Sequence, residues 1–543
     1  MVRIATLSRK DNTLANHLMV ALEPESGGYS DGVSPYDGHE HDRDAESITY
    51  LYVPSLTDRE GMIPDLVDAG NAFRCLDQNA NGRLIVLSSA LIYGTGPGRP
   101  AWVTEDYIAP RQRTHSIAQR WQELEMLALR HHSNTFAVTI LRPVTIVPSQ
   151  AWLSRLLHRR FVLTLPGYDP NLQLLSLSDL AQAIRCVLSH RRPGIFNISP
   201  DRAVPMHTAI RIAGSDRIPV PRTLLRLAKR SDTLEYLRYS WTISNQKIKQ
   251  ELGFSPAKTS LMTLLEARDR SSNLTTPEPH FDEFGMDPSY IRFYGKTLFK
   301  FLCDYYWRIE EIGLENVPER GRGMLVGMHR GFMPWDGVMA LHLLARKTGR
   351  YPRFLIHPGL LKFPFLANFM TKLGGVVACQ ESAERILSSD ELLGIFPEGI
   401  QGAFTRYRDA YTLQSFGRDA FVKMALQHRA PIIPFVTVGS AEILPILGKI
   451  ESKWWNRYTD WPCIPVTPTF PFLPIPLPSK WHTRFLPPIH VERVYPPEAA
   501  YDRVVVKAIS REVRANMQHA IDKMLATRRS VFFGSVFESE HAP

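Results

Sequence analysis

The sequence predicts an α/β protein of two domains, each built from repeated strand–helix units. Three observations carry this. Apolar strand-like runs alternate with helical patterns in both halves. The stretch from about Arg270 to Pro288, RSSNLTTPEPHFDEFGMDP, is polar and turn-rich, as a linker is. The 543 residues also exceed one ordinary core, at roughly 100–200 residues per domain. The expected boundaries are 1–268 for the first domain, 269–287 for the linker, 288–530 for the second domain and 531–543 for a tail.

In the first domain, ITYLYVPS (48–55) reads as a strand. RLIVLSS (83–89) reads as a buried strand ending in small polar residues. A helical pattern over 118–130 follows, then the strand TFAVTILRP (135–143), stopped by a proline. A helix around 180–188 precedes GIFNIS (194–199), and QKIKQELGFSP (246–256) closes the unit. Near-continuous apolar strands separated by helices indicate a parallel, doubly wound sheet.

The second domain opens at Asp287-Pro288, a cap followed by proline at the first helical position. Ile291, Tyr294, Leu298, Leu302 and Tyr305 fall at helical spacing, and Arg292, Lys296 and Lys300 recur on another face. Such a helix suits either an anionic membrane surface or docking on the core. GMLVGMH, ELLGIFPEG and APIIPFVTVG are the strand ends that follow. Residues 462–488 are dense in proline and aromatics, which argues against a central strand or helix there. They read as a membrane-facing lip or a rigid packed loop. A helix over about 504–528 buries Val506, Ile509, Val513, Met517, Ile521 and Met524.

Composition narrows the function classes. Hydrophobic residues make up 44% and charged residues 22%, a globular balance. No apolar run reaches the ~18 residues of a membrane span, and no signal peptide is expected from the N-terminal residues. Five scattered cysteines without metal-type spacing suit a reducing cytoplasm. The formal net charge of +10 suits anionic lipid or an acidic ligand. Without zinc-finger spacing, an RNP-like strand or a long basic block, nucleic acid is the weaker partner.

The candidate chemistry centres on His329 and Asp336. His329 stands where the strand GMLVGM ends, and Asp336 opens the helix after the loop HRGFMPW. In α/β sheets, strand C-termini and helix N-termini hold ligands. Imidazole is a suitable base near neutral pH, and a carboxylate on its other nitrogen fixes tautomer and orientation. A His and an Asp at this spacing are equally a loop residue and a helix cap. Two further blocks, Phe396-Pro397-Glu398-Gly399 and APIIPFVTVG (430–439), make the pair specific.

With GLENVP (313–318), these blocks resemble the lysophospholipid and glycerolipid acyltransferase family over roughly 288–530. The resemblance implies His329 as base, Asp336 as its orienting partner, and Phe396, Pro397, Glu398 and Gly399 as the wall of the acceptor site. Pro434 belongs to the late strand and has a structural role. Six residues separate His329 from Asp336, where four is usual. HRGFMPWD therefore looks like the branch related to monoacylglycerol and diacylglycerol acyltransferases. FPEG continues with Ile400-Gln401 in place of the family's Thr-Arg, which argues for a neutral hydroxyl acceptor. Arg406 and Arg408 are substitute cation donors or a solvated rim. His357 reads as structural and Cys379 as a packed thiol.

The first half resembles the NAD-dependent epimerases and dehydratases of the extended short-chain dehydrogenase family. LSSALIYG (87–94), LRPVTIV (141–147), LSLSDLAQAI (175–184), GIFNIS and ELGFSP carry the likeness. It implies a Rossmann-like fold, but the cofactor chemistry is missing. The first strand is followed by SRKDNTLANHL, without the glycines that let a backbone approach a pyrophosphate. Ser89 matches the family's Ser/Thr. With Glu123 as anchor, His115 and Gln119 stand where its Tyr and Lys belong. Tyr107 is an alternative tyrosine without a lysine four residues on. NAD(P) binding is therefore in doubt, and Ser89, His115 and Gln119 are vestigial.

The leading expectation is acyl transfer from acyl-CoA or an acyl-carrier protein to a lipid hydroxyl. It needs no metal or redox cofactor and takes place at the inner face of a membrane. The competing expectations are an NAD(P)-dependent epimerase or oxidoreductase acting through the first half, and a non-catalytic lipid-binding scaffold.

Overall fold

The structure is a computed structural model that describes residues 3–22, 48–58, 60–74, 76, 82–108, 116–149, 151–190, 192–228, 231–268, 281–417, 419–471 and 475–537. Most of the expected linker, His115 and Cys75 lie outside the described residues. The chain divides into two compact units, Met1–Gly285 and Met286–Pro543.

The first unit is a Rossmann-like α/β layer. Strands β1 (Arg3–Thr6), β2 (Ile48–Tyr52), β3 (Arg83–Leu87), β4 (Ala137–Pro143) and β5 (Gly194–Ile198) form a parallel sheet in that order. Every position of β3 is buried, as expected for a strand covered on both faces. Among the described residues the strands follow chain order. The order reversal that opens a ligand crevice in a doubly wound sheet does not occur among them. A buried ion pair fastens the sheet to its helical layer: Arg142 of β4 reaches Glu125 of the Ser116–Leu129 helix at 2.7 Å.

The second unit is a seven-stranded sheet. Its strands are β6 (Glu310–Ile312), β7 (Gly323–Gly327), β8 (Arg353–Ile356), β9 (Val376–Val377), β10 (Leu392–Ile395), β11 (Ile432–Val438) and β12 (His482–Phe485). The order is β6-β12-β11-β7-β10-β8-β9. All neighbours are parallel except β11 and β12. The Arg503–Thr527 helix is capped by Asp502 and buries all six expected apolar residues.

Three expectations need revision. β12 is an interior strand although it falls within 462–488. Seven prolines of that stretch precede Ser479 and two, Pro487 and Pro488, follow Leu486, so KWHTRFL (480–486) is free of them and its ladder bonds can form. The opening helix is interrupted at Thr297 (φ −115, ψ −99), between Pro288–Lys296 and Leu298–Phe301. The break shifts the helical register: Phe299 is buried, while Leu298 and Tyr305 are exposed. Residues 531–537, taken as a tail, pack on the sheet edge. Lys480 N donates to Val531 O at 2.8 Å, and Phe537 is buried.

The centre of the second sheet leaves no room beneath the strand end at residue 327. A Cβ on Gly327 would stand 2.3 Å from the Phe435 ring and 2.7 Å from Phe396. Gly327→Ala is expected to cost about 1–3 kcal/mol by overpacking, lowering Tm by roughly 2–10 °C. Thermal and urea denaturation of the two proteins check this.

Candidate active site

His329 lies two residues beyond β7, and Asp336 sits in the first turn of the Trp335–Lys347 helix. The intervening loop turns back at Gly331, whose φ of 72 suits glycine. It brings His329 Nδ1 to 3.0 Å from Asp336 Oδ2. An ionised carboxylate only accepts, so Nδ1 donates and Nε2 keeps its lone pair. Asp336 Oδ2 also accepts from the Arg330 amide at 2.9 Å. The Asp336 side chain is fully buried, and His329 is 12% exposed, enough to reach the adjoining cavity.

That cavity measures about 290 Å³. Its walls include Phe332, Leu341, Met370, Leu373, Phe421 and Met424, with His329 among them. Among the described residues no Lys, Arg, Asp or Glu lines it. Phe396, Pro397 and Gly399 of the FPEG block also face it. The Phe396 ring lies 5.2 Å from the His329 ring and stacks on Phe354 at 5.5 Å.

Glu398 takes a different place from its neighbours in the block. It is buried behind the wall and forms a bidentate pair with Arg330, at 2.7 and 3.0 Å. It also accepts from the Gln414 amide at 2.7 Å. Arg330, which the sequence reasoning passed over, is 1% exposed and donates to the carbonyls of His329, Ala410 and Thr412 as well. The only sequence signals were a cation beside His329 and a carboxylate inside FPEG, and spacing does not show that they meet.

Other expected residues are dispersed. Arg406 and Arg408 stand exposed at the Tyr407–Asp409 turn and do not line the cavity; Arg408 pairs with Asp409 at 3.1 Å. Gln401 is exposed. Pro434 lies in interior strand β11, opposite Val326, and its carbonyl accepts from Leu486 N. Cys379 Sγ lies 2.9 Å from Ser382 Oγ, and burial pushes the thiol up to about 11. His357 accepts from Gly359 N at 3.1 Å, a capping role, but it also lines the cavity, and burial lowers its pKa. Among the described residues no three His, Cys, Asp or Glu side chains converge as metal ligands would.

The first unit has its own cavity of about 350 Å³, lined in part by Arg9, Asn12, Ser88, Ser89, Trp121 and Trp152. The glycine-free turn after β1 is stitched by side chains. Asn12 accepts from Ala15 N and donates to Val53 O, and Ser8 Oγ accepts from Val53 N. Arg9 is engaged by Asp68 at 2.9 Å. Ser89 accepts from Leu91 N as a cap, and Gln119 is exposed on its helix.

Comparison with known proteins gives this geometry a family. The acyltransferase family profile matches residues 308–438, which span His329, Asp336, Glu398 and Pro434. The chain is 37% identical over 260 residues to the uncharacterized protein ML2427 of Mycobacterium leprae, covering 47% of this chain and 70% of that protein. It is 37% identical over 260 residues to Rv0502 of Mycobacterium tuberculosis, covering 72% of that protein. The chain belongs to the family of these mycobacterial proteins and carries an acyltransferase-family domain, which supports an acyltransferase activity. A chicken protein named a DGAT1/2-independent enzyme synthesizing storage lipids is 27% identical over 165 residues, or 30% of this chain and 48% of that one. Among solved structures, UDP-glucuronic acid 4-epimerase of Bacillus cereus covers 49% of this chain and 98% of its own, at 13% identity and a TM-score of 0.38. The Rossmann-like reading rests on the sheet itself and not on that likeness.

Arg330→Met is expected to destabilise the protein by about 3–5 kcal/mol, because it strands the buried Glu398 carboxylate. The double variant Arg330→Met/Glu398→Met is expected to cost less than the sum of its parts. Urea denaturation of the four proteins in the cycle measures the coupling.

Proposed function

We propose that this protein transfers a fatty acyl group from acyl-CoA or an acyl-carrier protein to a hydroxyl of a neutral glycerolipid or related lipid. The observation that carries the reading is the His329–Asp336 pair, 3.0 Å apart, in the wall of an apolar cavity that no cation lines among the described residues. An aliphatic chain fits such walls, whereas a phosphate-bearing acceptor would find no charged partner in them.

In the proposed step, His329 Nε2 takes the acceptor hydroxyl proton as the oxygen attacks the thioester carbonyl. Asp336 keeps the ring in the productive tautomer and stabilises the imidazolium. Collapse of the tetrahedral adduct breaks the C–S bond, and the imidazolium returns its proton to the departing thiolate. The products are an ester and a thiol, and the step balances without any further reactant. Phe396, Pro397 and Gly399 shape the wall, while Arg330 and Glu398 hold His329 in position. Arg406 and Arg408 belong, in this reading, to a solvated rim. No step runs through a nicotinamide cofactor.

The proposed setting is the cytoplasmic face of a membrane, where an insoluble acceptor meets a soluble thioester. Among the described residues no helix is long and apolar enough to cross a membrane.

Labelled acyl-CoA offered with neutral and phosphorylated acceptors tests both reaction and substrate, read by mass spectrometry of the products. Neutral hydroxyl lipids are expected to be acylated, and His329→Ala is expected to lower kcat about 10²–10⁴-fold with an unchanged circular dichroism spectrum. Full activity in His329→Ala overturns the assignment of the base. Binding of lipid with no donor ever consumed would instead favour a lipid-binding scaffold.

A further inference from the structure

The helix that carries Asp336 walls two cavities. Through Gly337, Val338 and Leu341 it lines the space beside His329. Through His342, Ala345 and Arg346 it lines a second one of about 280 Å³. The segment that opens the domain supplies the facing wall, including Arg292, Lys296 and Lys300. With Arg346, four cations border this space, and no carboxylate lines it among the described residues. The nearby carboxylates are engaged: Asp304 pairs with Arg346 at 2.6 Å, and Glu311 with Lys347 at 3.4 Å.

His342 also lines this cavity. It is 5% exposed, and its Nε2 has no hydrogen-bond partner. Burial, helped by the nearby Arg346 charge, pulls its pKa down to about 4, so the ring is neutral at physiological pH. A buried, unpaired ring nitrogen is costly to leave without a partner. The ring therefore adds no charge of its own to the four cations at this wall.

Next to the basic row runs an apolar one. Phe293 is 62% exposed, Phe301 53% and Tyr305 68%. Phe301 and Tyr305 stack with ring centroids 6.5 Å apart. A soluble anion would use the cations but would not call for exposed aromatics beside them. A bilayer uses both, with cations at the headgroups and aromatic rings at the boundary below.

We infer that this cavity and the aromatic row beside it form a docking site for an anionic bilayer, with one lipid phosphate held between Lys296 and Lys300. Phe293, Phe301 and Tyr305 enter the interface below that phosphate. The inference extends the lipid acyltransferase reading by naming the surface and the headgroup chemistry, and it rests on that reading only for its membrane setting.

The test uses the full chain with vesicles of phosphatidylcholine alone or mixed with phosphatidylglycerol, read by co-sedimentation. Wild type is expected to favour the anionic vesicles. Lys296→Gln/Lys300→Gln is expected to weaken that binding about thirtyfold, roughly fivefold for each basic residue. Phe301→Ser/Tyr305→Ser is expected to weaken it as well. Equal wild-type binding to both vesicle types, or an unaffected lysine variant, overturns the inference. Inorganic phosphate titrated calorimetrically without vesicles is the soluble arm, and no saturable binding is expected. Saturable binding that the lysine variant abolishes would make this a free-phosphate site and overturn the membrane assignment. Acyl transfer to a detergent-dispersed acceptor separates the two readings, because the lysine variant should retain it. Vesicle binding without any transfer defeats only the proposed reaction, and transfer without preference for anionic vesicles defeats only the docking site.

Discussion

The second unit depends on one buried ion pair, Arg330 with Glu398, each side chain 1% exposed. Moving both charges out of water is expensive, and only a complete set of hydrogen bonds offsets it. That set is present. Arg330 has five N–H groups, and the five contacts reach Glu398 twice and the carbonyls of His329, Ala410 and Thr412. The pair ties the residues following β7 to those following β10, two neighbouring strands of the sheet. It thereby fixes the backbone of His329 directly, and Asp336 fixes its ring. The longer His-to-Asp loop is accommodated because its first residue is anchored from the side, while Gly331 supplies the turn.

Much of this was legible in the sequence. The six-residue run GMLVGM before His329 marks β7 and the place of His329, because strands in such sheets bury both faces and hold ligands beyond their C-terminal ends. The capped proline start at Pro288 and the six-residue apolar stripe from Val506 to Met524 also read directly. Pairings across space were not legible. Glu398 looks like a cavity residue because its neighbours Phe396, Pro397 and Gly399 line the cavity, yet it turns away to meet Arg330. His357 read as structural, and it caps the turn at Gly359, but the cavity it also lines depends on how the helices pack. The break at Thr297 was hidden too, since the apolar spacing on either side is helical and only the backbone angles show the offset.

The first half shows the converse case. Its parallel strands fall where the apolar runs placed them. What replaces the glycines could not be read in advance. Ser8 and Asn12 use their side chains to bind the turn to Val53 and to the start of the next helix. The loop is therefore closed by its own polar groups, and the cavity beside it is walled by Trp121 and Trp152.

The Trp335–Lys347 helix also divides the molecule's electrostatics by accessibility. The Asp336 side chain is fully buried, beyond the reach of mobile counterions, so its hold on His329 is indifferent to ionic strength. Nearly three turns along, Arg346 borders a second space with Lys296 and Lys300 of the facing segment, where exposed charges lose their reach beyond about 8 Å at physiological salt. Salt concentration therefore acts unequally on this one helix: it screens the half-exposed Arg346 charge far more than the buried Asp336 carboxylate.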